Sequence, residues 1–172
     1  TQALLDSYSM RQKIGNLKNK NILIVGDIIH SRVALSNIFA LQLQGANIMV
    51  CGPNTLIPKY LKDLGVKIQT DFDKALQWCD VVNMLRLQNE RMSDSFFPSV
   101  REYKKYYGLT MDRLQKVNKD IVIMHPGPVN RGVEITSEVA DSNNSIILDQ
   151  VENGVAIRMA VIYLLAKKNF DR

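Results

Sequence analysis

Cysteine, tryptophan and long apolar runs are scarce in this 172-residue chain, and each shortage excludes a class of protein. The two cysteines, Cys51 and Cys79, lie far apart without a Cys-x-x-Cys spacing. That separation argues against a zinc site, a thioredoxin-like motif and a disulfide scaffold. No uncharged apolar run reaches the ~18 residues that a membrane-spanning helix needs. A reduced, cytoplasmic compartment without membrane contact is therefore expected.

Sequence motifs for metal chemistry, covalent catalysis and nucleic-acid binding are also missing. The sequence has no His-Glu-x-x-His, Walker A, Gly-x-Ser-x-Gly or clustered Cys/His motif. A net charge of +5 comes from 22 basic and 17 acidic residues. The basic residues are scattered and are not interleaved with aromatic residues that could stack on bases. We therefore expect no metal, no cofactor and no nucleic-acid partner, whereas small anionic substrates remain compatible with the charge.

Short apolar runs alternate with helical patterns along the chain. The runs with the character of buried parallel strands are 21–26, 47–51, 66–69, 80–85 and 120–124, and 145–148 is a candidate last strand. Helical patterns cover 3–14, 31–44, 56–64, 71–78, 111–117 and 151–167. Such alternation forms βαβ units with right-handed crossovers. The sequence thus predicts a three-layer α/β/α fold with a doubly wound, mainly parallel five-stranded, Rossmann-like sheet.

Three arginines follow predicted strands, at the edge where open α/β sheets bind their ligands. Arg32 follows the first strand, Arg86 the fourth and Arg131 the fifth. A guanidinium is a planar fork of donors that suits carboxylate or phosphate. Because the first and fourth strands should be neighbours, Arg32 and Arg86 are predicted to converge on one small dianion. The alternative is that each arginine pairs with a nearby acid such as Asp27 or Glu90.

The loops after the first and fifth strands differ from common cofactor loops. Gly26 is the single glycine of the first loop, so the Gly-x-Gly-x-x-Gly cradle of a dinucleotide-binding domain is absent. After the fifth strand, Pro126 and Pro128 flank Gly127, and each proline fixes φ and removes a backbone donor. This proline loop offers carbonyl oxygens that suit an amine. His125, which opens it, is interpreted as structural, with a catalytic base as the alternative.

Four motifs, taken in order, resemble those of the aspartate carbamoyltransferases. Residues 1–6 are similar to the end of that family's His-Pro-x-Gln-x-Leu-x-Asp segment, and residues 26–37 to its substrate-domain signature. Residues 86–91 are similar to its Arg-x-Gln-x-Glu-Arg loop, and residues 125–135 to its proline loop. The resemblance extends over essentially the whole chain.

This resemblance implies a reaction and a small set of catalytic groups. The reaction would transfer a carbamoyl group from carbamoyl phosphate to the amine of L-aspartate, in de novo pyrimidine biosynthesis, without a cofactor. Gln2 would contact the carbamoyl amide. The backbone carbonyls of Pro126 and Gly127 would contact the carbamoyl amide or the attacking amine.

The same resemblance assigns the substrate's carboxylates to the arginines. Arg32 would hold the α-carboxylate of aspartate, and Arg86 would hold the β-carboxylate with the help of Gln88. Glu90 and Arg131 would organise the loops rather than touch substrate. The segment 88–107 resembles a loop that moves when substrate binds, so we expect it to be mobile.

The matching region is the second half of the family's catalytic chain. Residues 1–20 would be an interdomain helix, 21–149 the aspartate-binding domain, and 150–172 a C-terminal helix that packs on the carbamoyl-phosphate domain. That domain's Ser-x-Arg-Thr-Arg loop and carbonyl-polarising His do not occur in this sequence. These residues alone are therefore expected to be inactive. The family also implies a homotrimeric parent that can join regulatory or other pyrimidine-pathway chains.

Two alternatives stay open. Ornithine carbamoyltransferase shares the fold and the carbamoyl chemistry, but its cationic substrate would favour a His-Cys-Leu-Pro loop and an acidic residue where Arg86 stands. The other alternative is a non-catalytic module that binds a dicarboxylate or forms an interface.

Overall fold

One central sheet organises the chain. Its strands are β1 Asn21–Val25, β2 Asn47–Cys51, β3 Lys67–Gln69, β4 Val81–Met84 and β5 Val122–Met124. They lie in the order β3-β2-β1-β4-β5, and all neighbouring pairs are parallel. The computed structural model, which describes residues 1–87 and 99–170, therefore confirms the predicted α/β class. Chain order reverses between β1 and β4, and ligands of such sheets bind at this kind of switch point.

Helices cover both faces of the sheet. They are α1 Gln2–Ile14, α2 Arg32–Gln42, α3 Phe72–Trp78, α4 Val100–Tyr107, α5 Met111–Gln115, α6 Ser137–Ala140 and α7 Ile147–Phe170. Side chains accept hydrogen bonds at several N-termini, as Ser31 does from the Ala34 N–H and Asp71 from the Lys74 N–H. Among the described residues, no helix is long and apolar enough to cross a membrane.

Two sequence predictions for local structure were wrong. The helix predicted over 56–64 is replaced by two 3₁₀ turns, Asn54–Leu56 and Lys59–Lys62. Pro58 lies between them, and a proline lacks the N–H that a continuous helix would need. The candidate strand 145–148 is reduced to a single bridge from Ser145 to Ile123, because α7 already begins at Ile147.

The helix α4 was not predicted, because its segment is polar and rich in tyrosine. Ser99 and Glu102 form a reciprocal capping box that fixes its N-terminus. Tyr103 is fully buried and attaches the helix to the domain. Residues 88–98 of the segment predicted to be mobile, with Gln88 and Glu90, lie outside the described residues.

Alternate residues of the central strand serve two separate cores. Ile22 and Ile24 of β1 belong to the apolar cluster that also contains Ile38 of α2. Leu23 and Val25 belong to the cluster that contains Phe72 of α3. Because side chains alternate across a strand, a sheet covered on both faces needs a continuous apolar run. This requirement explains the uninterrupted run in β1.

The two terminal helices pack against each other beside the sheet. Buried polar contacts join them, since the Asn153 amide donates to the Ser9 hydroxyl at 2.9 Å and to the Gln12 side-chain oxygen at 2.7 Å. The rest of α7 carries large apolar side chains that are exposed: Leu148, Val151, Val155, Met159, Ile162, Tyr163, Leu164 and Leu165. Exposed apolar side chains in such number on one helix are typical of a contact with another domain or protein.

Candidate active site

A pocket of about 220 Å³ opens at the carboxyl edge of the sheet, beside the switch point between β1 and β4. Its wall includes most of the residues that the sequence singled out, and they come from four different segments of the chain. The predicted site residues that line it are Gln2, Arg32, Arg86, Pro126 and Gly127. The fold therefore brings together residues that are up to 125 positions apart in the sequence.

The register of two strands places the two arginines on adjacent loops. Val25 at the end of β1 pairs with Met84 at the end of β4, so both loops begin at the same level of the sheet. Arg32 is the first residue of α2 and is exposed, whereas Arg86 follows β4 closely and is half-buried. Both side chains line the same pocket, and their binding of one small dianion stays a prediction.

The single glycine of the first loop has a packing role. Gly26 has a φ of 131°, and a Cβ built there would lie 3.1 Å from the Cβ of Leu85. Its conformation and its close neighbour both favour a residue without a side chain. The glycine therefore allows the β1 loop to approach the residue before Arg86, which brings the two halves of the pocket together.

A buried acid and a histidine form a pair in the pocket wall that the sequence did not predict. The Nδ1 atom of His30 lies 2.8 and 3.0 Å from the two carboxylate oxygens of Asp27. The His30 N–H also donates to Asp27 at 3.1 Å. Asp27, which the sequence offered as an arginine partner, thus orients the imidazole and holds the loop that leads into α2. Glu90, the other such acid, lies outside the described residues.

His125 is buried at the start of the proline loop, in a position that supports its structural interpretation. Its Nδ1 accepts a hydrogen bond from the Gly127 N–H at 2.9 Å, and its own N–H donates to the Gln150 side-chain oxygen at 3.0 Å. Burial, helped by the charge of Arg86, lowers the pKa of His125 to about 4. The ring is therefore neutral near pH 7, and its proton lies on Nε2 because Nδ1 is an acceptor.

The lowered pKa of His125 predicts a loss of stability in acid. In the unfolded chain this ring would titrate near ~6.5, so the unfolded state binds more protons between that pH and the folded pKa of about 4. The free energy of unfolding is therefore highest above pH ~6.5, and it falls by up to about 3 kcal/mol on acidification to pH ~4. Urea unfolding at several pH values measures this fall.

A His125→Asn variant provides the control for this pH dependence. Its side-chain oxygen can still accept from the Gly127 N–H, but it does not titrate. Asp6 and Glu134, whose pKa values are raised by burial, oppose the effect in both proteins. We therefore expect the unfolding free energy of the variant to depend less on pH. Parallel pH curves for the two proteins would contradict the assignment.

Glu134 joins the loops that follow β4 and β5, a role that no local sequence pattern indicates. Its Oε1 accepts from the Leu87 N–H at 2.7 Å and from the Asn130 amide at 2.7 Å, and its Oε2 accepts from the Asn130 N–H at 2.9 Å. Oε2 also lies 3.9 Å from Nε2 of His125. Burial raises the pKa of Glu134, and these hydrogen bonds partly oppose the rise. The carboxylate fixes the backbone next to Arg86 against the proline loop.

The fold agrees with what comparison with known proteins shows. The family model for the Asp/Orn binding domain of aspartate/ornithine carbamoyltransferases matches residues 18–165. The chain belongs to this family. The prediction made from the four motifs is confirmed.

Carbamoyltransferases from several organisms are similar to this chain over nearly all of its length. The aspartate carbamoyltransferase catalytic subunit of Flavobacterium johnsoniae is 68% identical over 168 residues, which are 98% of this chain and 54% of that protein. The chain thus spans about half the length of the curated relatives it matches.

Solved carbamoyltransferases of both substrate types share the fold. The catalytic subunit of M. jannaschii aspartate transcarbamoylase has a TM-score of 0.79 and 29% identity, covering 99% of this chain and 56% of that one. Ornithine carbamoyltransferase from Pyrococcus furiosus has a TM-score of 0.78 and 27% identity, covering 94% and 54%. Architecture alone therefore does not separate the two kinds of carbamoyltransferase.

A second hollow of about 150 Å³ adjoins the pocket that Arg32 and Arg86 line. Gln2, Pro126 and Gly127 line both spaces, and the second is closed on its other side by Gln150 and Arg158 of α7. These residues therefore lie where α1, α7 and the proline loop meet.

Arg131 lies on the surface, outside the wall of the pocket that Arg32 and Arg86 line. Its guanidinium makes two parallel contacts with the Asp141 carboxylate, at 2.7 and 2.8 Å, and lowers the pKa of that acid. The contact ties the proline loop to the end of α6. A role in loop organisation remains a prediction for Arg131, as it does for Glu90.

Proposed function

We propose that the chain is the aspartate-binding half of an aspartate carbamoyltransferase, which transfers the carbamoyl group of carbamoyl phosphate to the amine of L-aspartate. The observation that carries this proposal is the presence of Arg32 and Arg86 in the wall of one small pocket. Two guanidinium groups suit two carboxylates. The 68% identity to the Flavobacterium johnsoniae catalytic subunit supports the same reaction.

The pocket favours aspartate over ornithine. Arg32 would bind the α-carboxylate, and Arg86, assisted by Gln88, the β-carboxylate. A half-buried guanidinium at the position of Arg86 would repel a cationic side chain, because solvent screens charges less in such a place. No acidic residue replaces it, and the loop reads His-Pro-Gly-Pro rather than His-Cys-Leu-Pro.

The proposed reaction depends on the positioning of its two substrates and needs no covalent catalyst. The neutral amine of aspartate attacks the carbamoyl carbon, and negative charge develops on the carbamoyl oxygen. The bond between the carbamoyl carbon and the phosphate oxygen then breaks, and phosphate leaves with a proton from the amine. The oxygen of Gln2 and the carbonyls of Pro126 and Gly127 accept hydrogen bonds from the carbamoyl –NH₂ and the amine. Holding both substrates in line and stabilising the oxyanion account for the rate. His125 does not act as a base in this scheme, because it is buried and its Nδ1 is occupied.

The same proposal assigns the exposed apolar face of α7 to the carbamoyl-phosphate domain. In this arrangement residues 1–20 form an interdomain helix, residues 150–172 pack on the carbamoyl-phosphate domain, and the parent chain assembles as a homotrimer. Val155 and Met159 are more than half exposed in this chain, which supports a covering domain. The buried free thiols of Cys51 and Cys79 support a reducing cytoplasm.

The test uses a chimera in which the preceding half of the Flavobacterium johnsoniae relative is joined to this chain. We expect it to form carbamoyl-aspartate and to leave ornithine unchanged. Arg86→Gln should raise the KM for aspartate by about 10- to 100-fold, because a hydrogen bond between charged groups contributes about 1.5–3 kcal/mol. Initial rates at varied aspartate concentrations measure this effect.

Arg11→Gln is the matched control, since Arg11 is exposed on α1 and lies outside the pocket wall. Its KM for aspartate should stay within about twofold of the parent chimera. An unchanged KM in Arg86→Gln, or turnover of ornithine, would contradict the assignment of the β-carboxylate.

A further inference from the structure

Asp6 is a buried carboxylate in α1 that the proposed chemistry does not use. It is 0% exposed, and three side-chain amides donate to it. Oδ1 accepts from Gln2 at 2.8 Å and from Gln150 at 2.9 Å, and Oδ2 accepts from Asn37 at 2.7 Å. These donors belong to α1, α7 and α2. Among the described residues, no cationic group forms an ion pair with Asp6.

A carboxylate that only accepts hydrogen bonds determines which way its amide partners face. Gln2 must turn its –NH₂ toward Asp6, because its oxygen there would meet another oxygen. The side-chain oxygen of Gln2 is then the atom left for the two spaces that this residue lines. If the Gln2 amide were turned over, its –NH₂ would face these spaces and would offer a hydrogen-bond donor instead of an acceptor.

Asp6 also determines which way the Gln150 amide faces, and Gln150 contacts the proline loop. Gln150 gives its –NH₂ to Asp6, and its oxygen accepts the His125 N–H at 3.0 Å. His125 in turn accepts from the Gly127 N–H. One carboxylate thus orients Gln2 and anchors the loop that carries the carbonyls of Pro126 and Gly127.

We propose that Asp6 is a positioning and specificity residue, which keeps the oxygen of Gln2 toward the pocket so that this wall offers acceptors to the carbamoyl –NH₂. The inference rests on the proposed carbamoyltransferase function. A site built to bond an –NH₂ discriminates against an analogue that lacks it. Acetyl phosphate has a methyl group in place of that –NH₂ and is therefore the informative probe.

Asn37 provides a conservative rescue for this test. Its own oxygen is buried without a hydrogen-bond partner among the described residues. In Asp6→Asn, the new –NH₂ can donate to that oxygen if the Asn37 amide turns over, and the remaining oxygen still accepts from Gln2. Asp6→Asn should therefore keep the orientation of Gln2, whereas Asp6→Leu, of similar size, should lose it.

The first measurement compares carbamoyl phosphate with acetyl phosphate as donors to aspartate in the chimera. Asp6→Leu should lower kcat/KM for carbamoyl phosphate by about 10- to 100-fold and leave that for acetyl phosphate within about threefold. Asp6→Asn should stay within about threefold for both donors. An equal fall in kcat/KM for both donors in Asp6→Leu would show that Asp6 acts only through the fold. An unchanged kcat/KM for carbamoyl phosphate would also overturn the proposal.

The second measurement needs no activity and uses the 172-residue chain itself. In NMR spectra the side-chain –NH₂ protons of Gln2 should exchange with water at least about tenfold more slowly than those of exposed Gln115, because they are hydrogen-bonded. Asp6→Leu should abolish the difference and Asp6→Asn should keep it. Exchange of Gln2 as fast as that of Gln115 in the parent chain would overturn the orientation.

The test still decides the proposal if a variant does not fold or if the chimera is inactive. If Asp6→Leu does not fold, Asp6→Ser takes its place in both measurements, since its hydroxyl ends one bond short of the position of Oδ1. If the chimera has no carbamoyltransferase activity, the proposed function fails, while the exchange of Gln2 still decides whether Asp6 orients it.

Discussion

A polypeptide of these 172 residues alone is expected to show no measurable carbamoyltransferase activity. The chain carries the arginines proposed to hold aspartate, but it covers 54% of its Flavobacterium johnsoniae relative. The sequence contains no Ser-x-Arg-Thr-Arg phosphate loop. Losing one oxyanion donor costs about 2.7–4 kcal/mol, or roughly two to three decades in rate. Losing the position of the second substrate removes up to about 7–11 kcal/mol.

The second loss alone corresponds to about five to eight decades in rate, so the conclusion does not depend on adding the two. Aspartate should also bind weakly, because Arg32 is exposed and water screens its charge. A colorimetric assay for carbamoyl-aspartate, on a sample whose intact mass matches the sequence, measures the activity. The chimera serves as the positive control. Robust turnover by the chain alone would mean that the two-domain mechanism is wrong.

The architecture of the sheet was predictable because it depends on local patterns. Continuous apolar runs such as 22–25 are required wherever a strand is covered on both faces. Placing Arg32 and Arg86 at one edge needed only the order of the strands. This is why the pocket could be outlined before the structure was known.

The polar contacts that hold the pocket could not be predicted in the same way. Asp6 and Gln150 are 144 positions apart, and nothing local in either segment indicates that they bond. Glu134 likewise holds the loop after β4 by accepting a hydrogen bond from the N–H of Leu87, which is 47 positions earlier. Burial of such groups depends on the packing of several elements at once, which periodicity does not describe. The capping box at Ser99 and Glu102, by contrast, is a local signal that was overlooked.

Replacing Glu134 by alanine should lower the free energy of unfolding by about 3–5 kcal/mol, a large part of the ~5–15 kcal/mol that stabilises a typical domain. The side chain is fully buried and accepts the Leu87 N–H, the Asn130 N–H and the Asn130 amide. Each buried donor left without a partner costs about 1–3 kcal/mol. The cavity left by the missing side chain adds to that cost.

Glu134→Gln is the matched control, because it keeps the shape of the side chain and one acceptor. Its oxygen can still take the two hydrogen bonds made at Oε1. It loses the bond to the Asn130 N–H but no longer holds a buried charge, and burial is what raises the pKa of this acid. Since these effects oppose each other, its stability should stay within about 1 kcal/mol of the parent chain. Urea unfolding at pH 7 compares the variants. An alanine variant as stable as the glutamine variant would show that the carboxylate does not hold the two loops together, and the geometry of Arg86 would then need another support.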